Sequence, residues 1–483
     1  MVINSFSFLL FFSIVFFIYY FPLKEKRKAQ NWLLLLASYA FYGIANWKMM
    51  PILLIATVVF YLLAMEIPKG SDKKSSALTT LGVVAGVGLL FYFKYLNFFI
   101  ESFATFFESI GLKTNWSTFS IIFPLGISFF TFRLISYVIE IHRGKIEPER
   151  DFVAFATYVA FFPTIMSGPI DRANDFIPQL HKKRSFNYEM AVDGSRQVLW
   201  GIFKKMVIAD SIAVFVNGVW SDLAIQNSPT LLIAASLYTI QMYADFSGYS
   251  DMAIGVGKIL GFRITINFKY PFFATNIADY WRRWHISLTS WVTDYVFMPL
   301  NVKFRNYGNW GLVWAIIINM IIIGMWHGAN WTFAVFGLYH GLLFIPLIIN
   351  GSFSKKKKQK ANRYGLPQFG DFVKMCITFL LVTFGLVVFR ADSIGQATEY
   401  FGGILNLSNL FSLTTNGLRE LTPKLICLII MIIMEWKQRD KEFPLQIDSI
   451  NVRKPIRIAI MWIIIVATIL LSGVEQTFIY MQF

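Results

Sequence analysis

"WGLVWAIIINMIIIGMWHGANWTFAVFGLYHGLLFIPLII" occupies residues 310–349, and its only ionisable side chains of the Asp, Glu, Lys, Arg or His type are His327 and His340. A membrane-crossing helix needs about 20 mostly apolar residues. Forty residues of this kind are therefore read as two crossings, with "HGAN" (327–330) as the punctuation between them. A histidine placed there, between Trp326 and Trp331, asks for a reason.

The rest of the chain agrees with a membrane setting. Of 483 residues, 56% are hydrophobic and 15% charged, and the mean hydropathy is +0.55. A soluble domain carries more charge. The net charge is +16, yet a nucleic-acid partner is not expected. The basic residues fall in short loops beside apolar runs, as in the cytoplasmic loops of membrane proteins. Cys376 and Cys427 lie in apolar segments and read as small core hydrophobes rather than a disulfide or metal site. The first apolar run, "FSFLLFFSIVFFIYYF" (6–21), lacks a preceding basic residue and a following small-residue cleavage site, so it reads as a retained span.

Basic clusters divide the chain at "KEKRK" (24–28), "KGSDKK" (69–74), "HRGKIEPER" (142–150), "HKKR" (181–184), "KFR" (303–305), "KKKKQK" (355–360), "KQRDK" (437–441) and "NVRK" (451–454). If all are cytoplasmic, an even number of crossings separates neighbours. This predicts hairpins over 31–66, over 77–93 with 118–141, and two spans in each of 196–262, 309–350 and 371–436. The amphipathic "NFFIESFATFFESI" (97–110) lies between the arms of the second hairpin. One span at each end puts both termini outside. The fold class is an all-α polytopic membrane protein with about ten to twelve crossings. Residues 151–170 are too short for two crossings, and 263–300 are only moderately apolar. Both read as re-entrant or interfacial. Irregular backbone at membrane depth needs surrounding protein or a water-filled cavity. The whole of 1–483 reads as one integral membrane domain, with no internal repeat and no soluble domain.

Ionisable residues inside spans are costly and therefore informative. Asp245 and Asp251 lie in "YADFSGYSDMAIGVGKILGF" (243–262), where Ala253, Gly257 and Gly261 recur every four positions and are placed on one helix face. The plain reading of Asp245 is a helix–helix hydrogen bond, with Arg282 or Arg283 as partner. In "TNIADYWRRWHISLTSWVTDYVF" (275–297) Asn276 is placed to cap a helix, with Asp279 at its third position. Asp279 and Arg283 are four apart and can pair. Trp281 and His285 are expected on one face of that helix, and Trp284, Leu288 and Trp291 on another. By itself it could be an interfacial anchor.

A lone histidine on an apolar face is commonly a satisfied core residue. At His327, flanking Gly324 and Gly328 permit close approach of backbone or ligand, and Asn330 adds a polar group within a turn. A neutral imidazole there could take a proton from a hydroxyl, since its ordinary pKa is about 6.5. His340 is a supporting candidate. His142 and His181 sit in basic loops and read as solvated side chains. There is no G-x-S-x-G elbow, H-E-x-x-H, P-loop or G-x-G-x-x-G, so neither a serine triad, a metal nor nucleotide hydrolysis is indicated. Histidine chemistry at membrane depth or transport is left.

"FPLGISFFTFRLISYVIEIHRG" (123–144), "FFPTIMSGPIDR" (161–172), "GIFKKMVIAD" (201–210), the 243–262 block, "INFKYPFFATNIADYWRRWHISLTSWVTDYVFMPL" (266–300) and "GMWHGANWTFAVFGLYHG" (324–341) occur in this order. Together, with the final "FIYMQF", they resemble the membrane-bound O-acyltransferase (MBOAT) family. They are most similar to its bacterial branch, which acetylates alginate or peptidoglycan or D-alanylates teichoic acid. The resemblance implies a ring of helices around a thin centre, a cytoplasmic cavity meeting an outer funnel, and a catalytic core at about 118–350. It implies that His327 is the catalytic histidine and that His285 matches the second polar position.

On that resemblance the reaction is acyl transfer, with acetyl-CoA as donor substrate and no bound cofactor. His327 is the general base or a transient acyl carrier, and His285 with nearby donors holds the oxyanion. The implied setting is the bacterial inner membrane. A second, extracytoplasmic acetyltransferase would complete O-acetylation of a cell-envelope polysaccharide. D-alanyl transfer to teichoic acid is the alternative donor chemistry, and a non-catalytic transporter or scaffold is the alternative class. Transporters commonly carry repeat halves with paired broken helices, which this sequence lacks.

Overall fold

The computed structural model describes residues 2–114, 116–355, 362, 365–406, 418–447 and 453–479. Most of the "KKKKQK" cluster, part of "NVRK" and the end of "FIYMQF" lie outside the described residues. Among the described residues the regular structure is helical. Six helical stretches there are long and apolar enough to cross a membrane. This is an all-helical, multi-pass membrane protein.

Six is fewer than ten to twelve, for two reasons. Some stretches are longer than one crossing: Arg27–Lys69 is 43 residues long. Straight, it would run about 65 Å, twice the roughly 30 Å of hydrocarbon. It is broken at Asn46 (φ −159°, ψ 75°), and Arg27–Asn46 and Met50–Glu66 touch one another, as a hairpin requires. Conversely, the 32-residue helix Ser228–Ile259 is kept out of the count by composition: its middle carries the buried charges described below.

The described residues gather into two compact units, Met1–Ser195 with Ala253–Thr265, and Arg196–Met252 with Ile266–Phe483. In the first, Asp72–Leu90 packs on Ile127–His142, the expected second hairpin. Its second arm begins only at Ile127, after non-helical chain. The amphipathic segment forms the helix Leu96–Ser109, none of whose residues is buried.

The 151–170 segment becomes one short helix, Phe152–Ala160, started by Asp151, whose carboxylate accepts from the amides of Val153 (3.0 Å) and Ala154 (3.2 Å). Turns follow, and residues 154–171 are all buried. Buried irregular backbone must find partners for its carbonyls. Arg133, 1% exposed, supplies them. Its guanidinium donates to the carbonyls of Tyr158 (3.2 Å), Val159 (3.0 Å) and Pro169 (3.2 Å) and to the hydroxyl of Thr164 (2.6 Å). The expectation of irregular chain wrapped in protein is met, and an unforeseen arginine makes it possible.

Gly261 does not share a helix face with Ala253 and Gly257. The long helix stops at Ile259, and Gly261 takes φ +86° in the turn that follows. Neither cysteine is in a disulfide; Cys427 is buried as expected, whereas Cys376 is exposed.

In the second unit the helix containing Arg196–Ile202 widens into a π-helical segment, Phe203–Ala209. There two consecutive lysines, Lys204 and Lys205, are both buried (2% and 4% exposed). The ammonium of Lys204 meets Asp251 at 2.6 Å and donates to the hydroxyl of Ser247 at 2.8 Å. That of Lys205 meets Asp210 at 2.8 Å and Asp245 at 2.7 Å. The other oxygen of Asp245 accepts from the amide of Ile479 at 2.8 Å. Asp245 therefore pairs with Lys205, not with Arg282 or Arg283. Lys205 and Asp245 are 40 residues apart in sequence, so no local spacing marks them as partners.

Candidate active site

The helices Gly308–His327 and Trp331–Leu342 lie against each other at backbone distance. A Cβ at Gly324 would stand 2.2 Å from the carbonyl oxygen of Phe333, and one at Gly337 would stand 2.4 Å from that of Met320. Gly324, one turn before the histidine, thus serves helix–helix approach. Asn330 caps the second helix: its side chain accepts from the Thr332 amide at 3.0 Å and donates to the Asp392 carbonyl at 2.8 Å. It is a structural cap.

His327 is the last residue of its helix and is 4% exposed. Its ring lies against Trp326 (4.9 Å between centroids), Phe389 (5.0 Å) and Phe336 (6.2 Å). His340 is 0% exposed, with Phe336 at 4.6 Å. The indole N–H of Trp281 donates to its Nδ1 at 3.3 Å. His327 and His340 line one small cavity together with Met242, Val382, Leu386 and Phe389.

The 275–297 segment is not one helix. Asn276 caps it as expected, accepting from the Asp279 amide at 2.8 Å, and Asp279 pairs with Arg283 at 3.1 Å. The helix ends at Trp281, and a new one, Ile286–Val292, starts after His285. His285 itself takes φ 44°, ψ 53°, a left-handed conformation uncommon for non-glycine residues, though asparagine, aspartate and histidine adopt it more often than the rest. The preceding chain fixes this turn. The Ile286 amide donates to the Asn267 carbonyl at 2.8 Å, and the Lys269 amide to the Arg283 carbonyl at 2.9 Å. The Ser287 hydroxyl donates to the Asn267 side-chain oxygen at 2.7 Å.

Trp281 and His285 consequently part. Trp281 goes to His340, and the His285 ring packs on Phe246 (4.7 Å) and Trp326 (5.6 Å). Trp326 touches the rings of both His285 and His327. Leu288 and Trp291 are buried in the second short helix, and Trp284 is buried before it. Arg282 donates to the Phe353 carbonyl at 3.4 Å. Asn267 is the neighbour that sequence reading missed, and the Trp281–His340 bond is the contact it did not foresee. An asparagine inside "INFKYPFF" carried a usable signal as a polar residue in an apolar run.

The sequence profile of the membrane-bound O-acyltransferase family matches residues 149–350, a range that contains His285, His327 and His340. The "Probable alginate O-acetylase AlgI" of Pseudomonas putida is 35% identical over 419 residues, covering 85% of this chain and 81% of that protein. The chain belongs to the membrane-bound O-acyltransferase family. It is an O-acyltransferase, and the transporter or scaffold alternative falls away. This MBOAT protein is also similar to the "Peptidoglycan O-acetyltransferase" of Helicobacter pylori, 31% identical over 411 residues, 78% of this chain and 74% of that one. The "Teichoic acid D-alanyltransferase" of Streptococcus thermophilus is 32% identical over 316 residues, 60% of this chain and 75% of that one.

Proposed function

We propose that this acyltransferase moves acetyl from cytoplasmic acetyl-CoA across the bacterial inner membrane for O-acetylation of an extracytoplasmic cell-envelope polysaccharide. An extracytoplasmic acetyltransferase completes the transfer. His327 takes the proton of the accepting hydroxyl as its oxygen bonds to the acyl carbon, and then returns that proton to the departing thiolate. His285 acts at one remove, holding Trp326 against His327.

The observation that carries this reading is His327 at the end of an apolar helix, lining a small buried cavity with a second histidine. Acetyl is favoured over D-alanyl because the two acetylating relatives align with 78–85% of the chain, against 60% for the D-alanylating one.

The test uses purified full-length protein in nanodiscs, labelled acetyl-CoA and a soluble hydroxyl acceptor. Ester formation with stoichiometric CoA release is expected. CoA release without ester, or transfer of D-alanyl but not acetyl, would refute it.

A further inference from the structure

A larger cavity, of about 530 Å³, lies within the second unit and takes no part in the proposed chemistry. It is bounded by the helix Asp210–Ser221, the starts of Ser228–Ile259 and Leu418–Lys437, and the chain that follows Lys454–Leu471. Ser211 (5% exposed) and Thr230 (1% exposed) line it. Neither hydroxyl oxygen has a hydrogen-bond partner among the described residues. Other helical hydroxyls return to the carbonyl four residues back: Ser195 to Ala191 and Thr468 to Ile464, each at 2.8 Å. A buried hydroxyl without a partner is costly, so these two call for a ligand with acceptor atoms.

The walls define that ligand. Lys424 brings positive charge to the cavity, and no described lining residue is acidic. Hydroxyls and an ammonium together suit a negatively charged group that only accepts, such as a phosphodiester. Phe215, Val219 and Leu421 are buried apolar walls. Water would satisfy the hydroxyls but not these walls, which favour hydrocarbon. The rim is apolar too: Val214, Ile225 and Val474 line the cavity and are exposed. Lys454–Leu471 is one of the stretches able to cross a membrane. The cavity reaches Val474, just past its end, where hydrocarbon gives way to headgroups.

We infer that this cavity binds one anionic glycerophospholipid of the surrounding bilayer. Its phosphate and ester oxygens accept from Lys424, Ser211 and Thr230, and its acyl chains leave past the exposed Val214 and Val474. The wall beside Ser211 is fixed without the lipid. The Gly473 amide donates to the Met206 carbonyl at 2.8 Å, and a Cβ at Gly473 would stand 2.6 Å from the Ser211 amide nitrogen. Such preorganisation lowers the cost of binding.

The experiment uses the full chain in nanodiscs of equal phosphatidylglycerol and phosphatidylethanolamine, transferred to detergent and stripped stepwise. Native mass spectrometry counts the lipid that stays. One phosphatidylglycerol per chain is expected to outlast the rest, with about a 5-fold preference over phosphatidylethanolamine, the effect of one lysine near an anionic headgroup. A Cβ at Gly218, on the cavity wall, meets nothing within 4 Å, and tryptophan suits a helix better than glycine. Gly218→Trp should therefore fold like the wild type and lose the retained lipid. Ser211→Ala and Thr230→Val should each lower retention about 5-fold, the worth of one hydrogen bond. Lys424→Gln should abolish the preference for phosphatidylglycerol, and Lys424→Arg should keep it. Added phosphatidylglycerol should raise the thermal midpoint of the stripped wild type but not of Gly218→Trp.

Equal retention of the two lipids by the wild type would overturn the inference. So would wild-type retention in Gly218→Trp or in Ser211→Ala with Thr230→Val, or inorganic phosphate raising the midpoint as much as phosphatidylglycerol does. None of these readouts depends on which acyl group the enzyme moves.

Discussion

Three histidines within 56 residues of sequence end in three different settings, and His327 and His285 predict different phenotypes. His327 lines the cavity, so His327→Ala should lower acetyl transfer about 10²- to 10⁴-fold, the usual contribution of a general base. Expression and membrane insertion should stay near wild type; transfer retained in nanodiscs would remove His327 from the chemistry. His285 is constrained first by its backbone, at φ 44°. Asparagine tolerates that region far better than alanine does. His285→Asn should therefore recover much of the folded protein and activity that His285→Ala loses. Equal damage from both, read as kcat and thermal midpoint together, would move the role of His285 from its turn to its ring.

At the scale of elements, the close pair Gly308–His327 and Trp331–Leu342 depends on absent side chains. Gly337→Ala places a carbon 2.4 Å from the Met320 carbonyl oxygen, so the helices must separate. A cost of about 1–3 kcal/mol is expected for such overpacking, seen as a lowered thermal midpoint in detergent. The Lys205 cluster is the electrostatic counterpart. Asp245→Asn leaves one buried ammonium with Asp210 as its remaining carboxylate. Removing one partner of a buried ion pair costs about 3–5 kcal/mol, and Asp210 should hold the loss at the lower end. Unfolding measured in detergent should show it, with activity per folded molecule largely kept. Activity lost without destabilisation would give Asp245 a chemical role.

For the whole molecule, the proposed topology follows the rule that basic loops stay cytoplasmic. With residues 303–305 on that side, the chain is expected to emerge near 327–331 on the other face or at mid-depth. With Cys376→Ser and Cys427→Ser as background, Ala329→Cys is a better reporter than Asn330→Cys, because Asn330 caps a helix. An impermeant thiol reagent added outside should label Ala329→Cys and should reach Lys303→Cys only after the membrane is opened. Labelling of Lys303→Cys from outside would invert the topology and exclude a cytoplasmic donor reaching His327 from that side.

The all-helical membrane class, the hairpins over 31–66 and 310–349, the cap at Asn276, the Asp279–Arg283 pair, and His327 and His340 as candidates were all legible in the sequence. Each depends on composition or on spacing within about a turn or one span, and such local signals survive whatever the chain packs against. What tertiary structure alone decided is which polar group meets which. Asp245 chose Lys205, at 2.7 Å, over Arg282 and Arg283. Arg133 gathered the carbonyls of a distant turn. Trp281 turned to His340 because the chain breaks at His285. A side chain's reach is a few ångströms, and buried charges and donors must be satisfied within it. Periodicity says which face a residue occupies, but only the packed fold brings its partner within that reach.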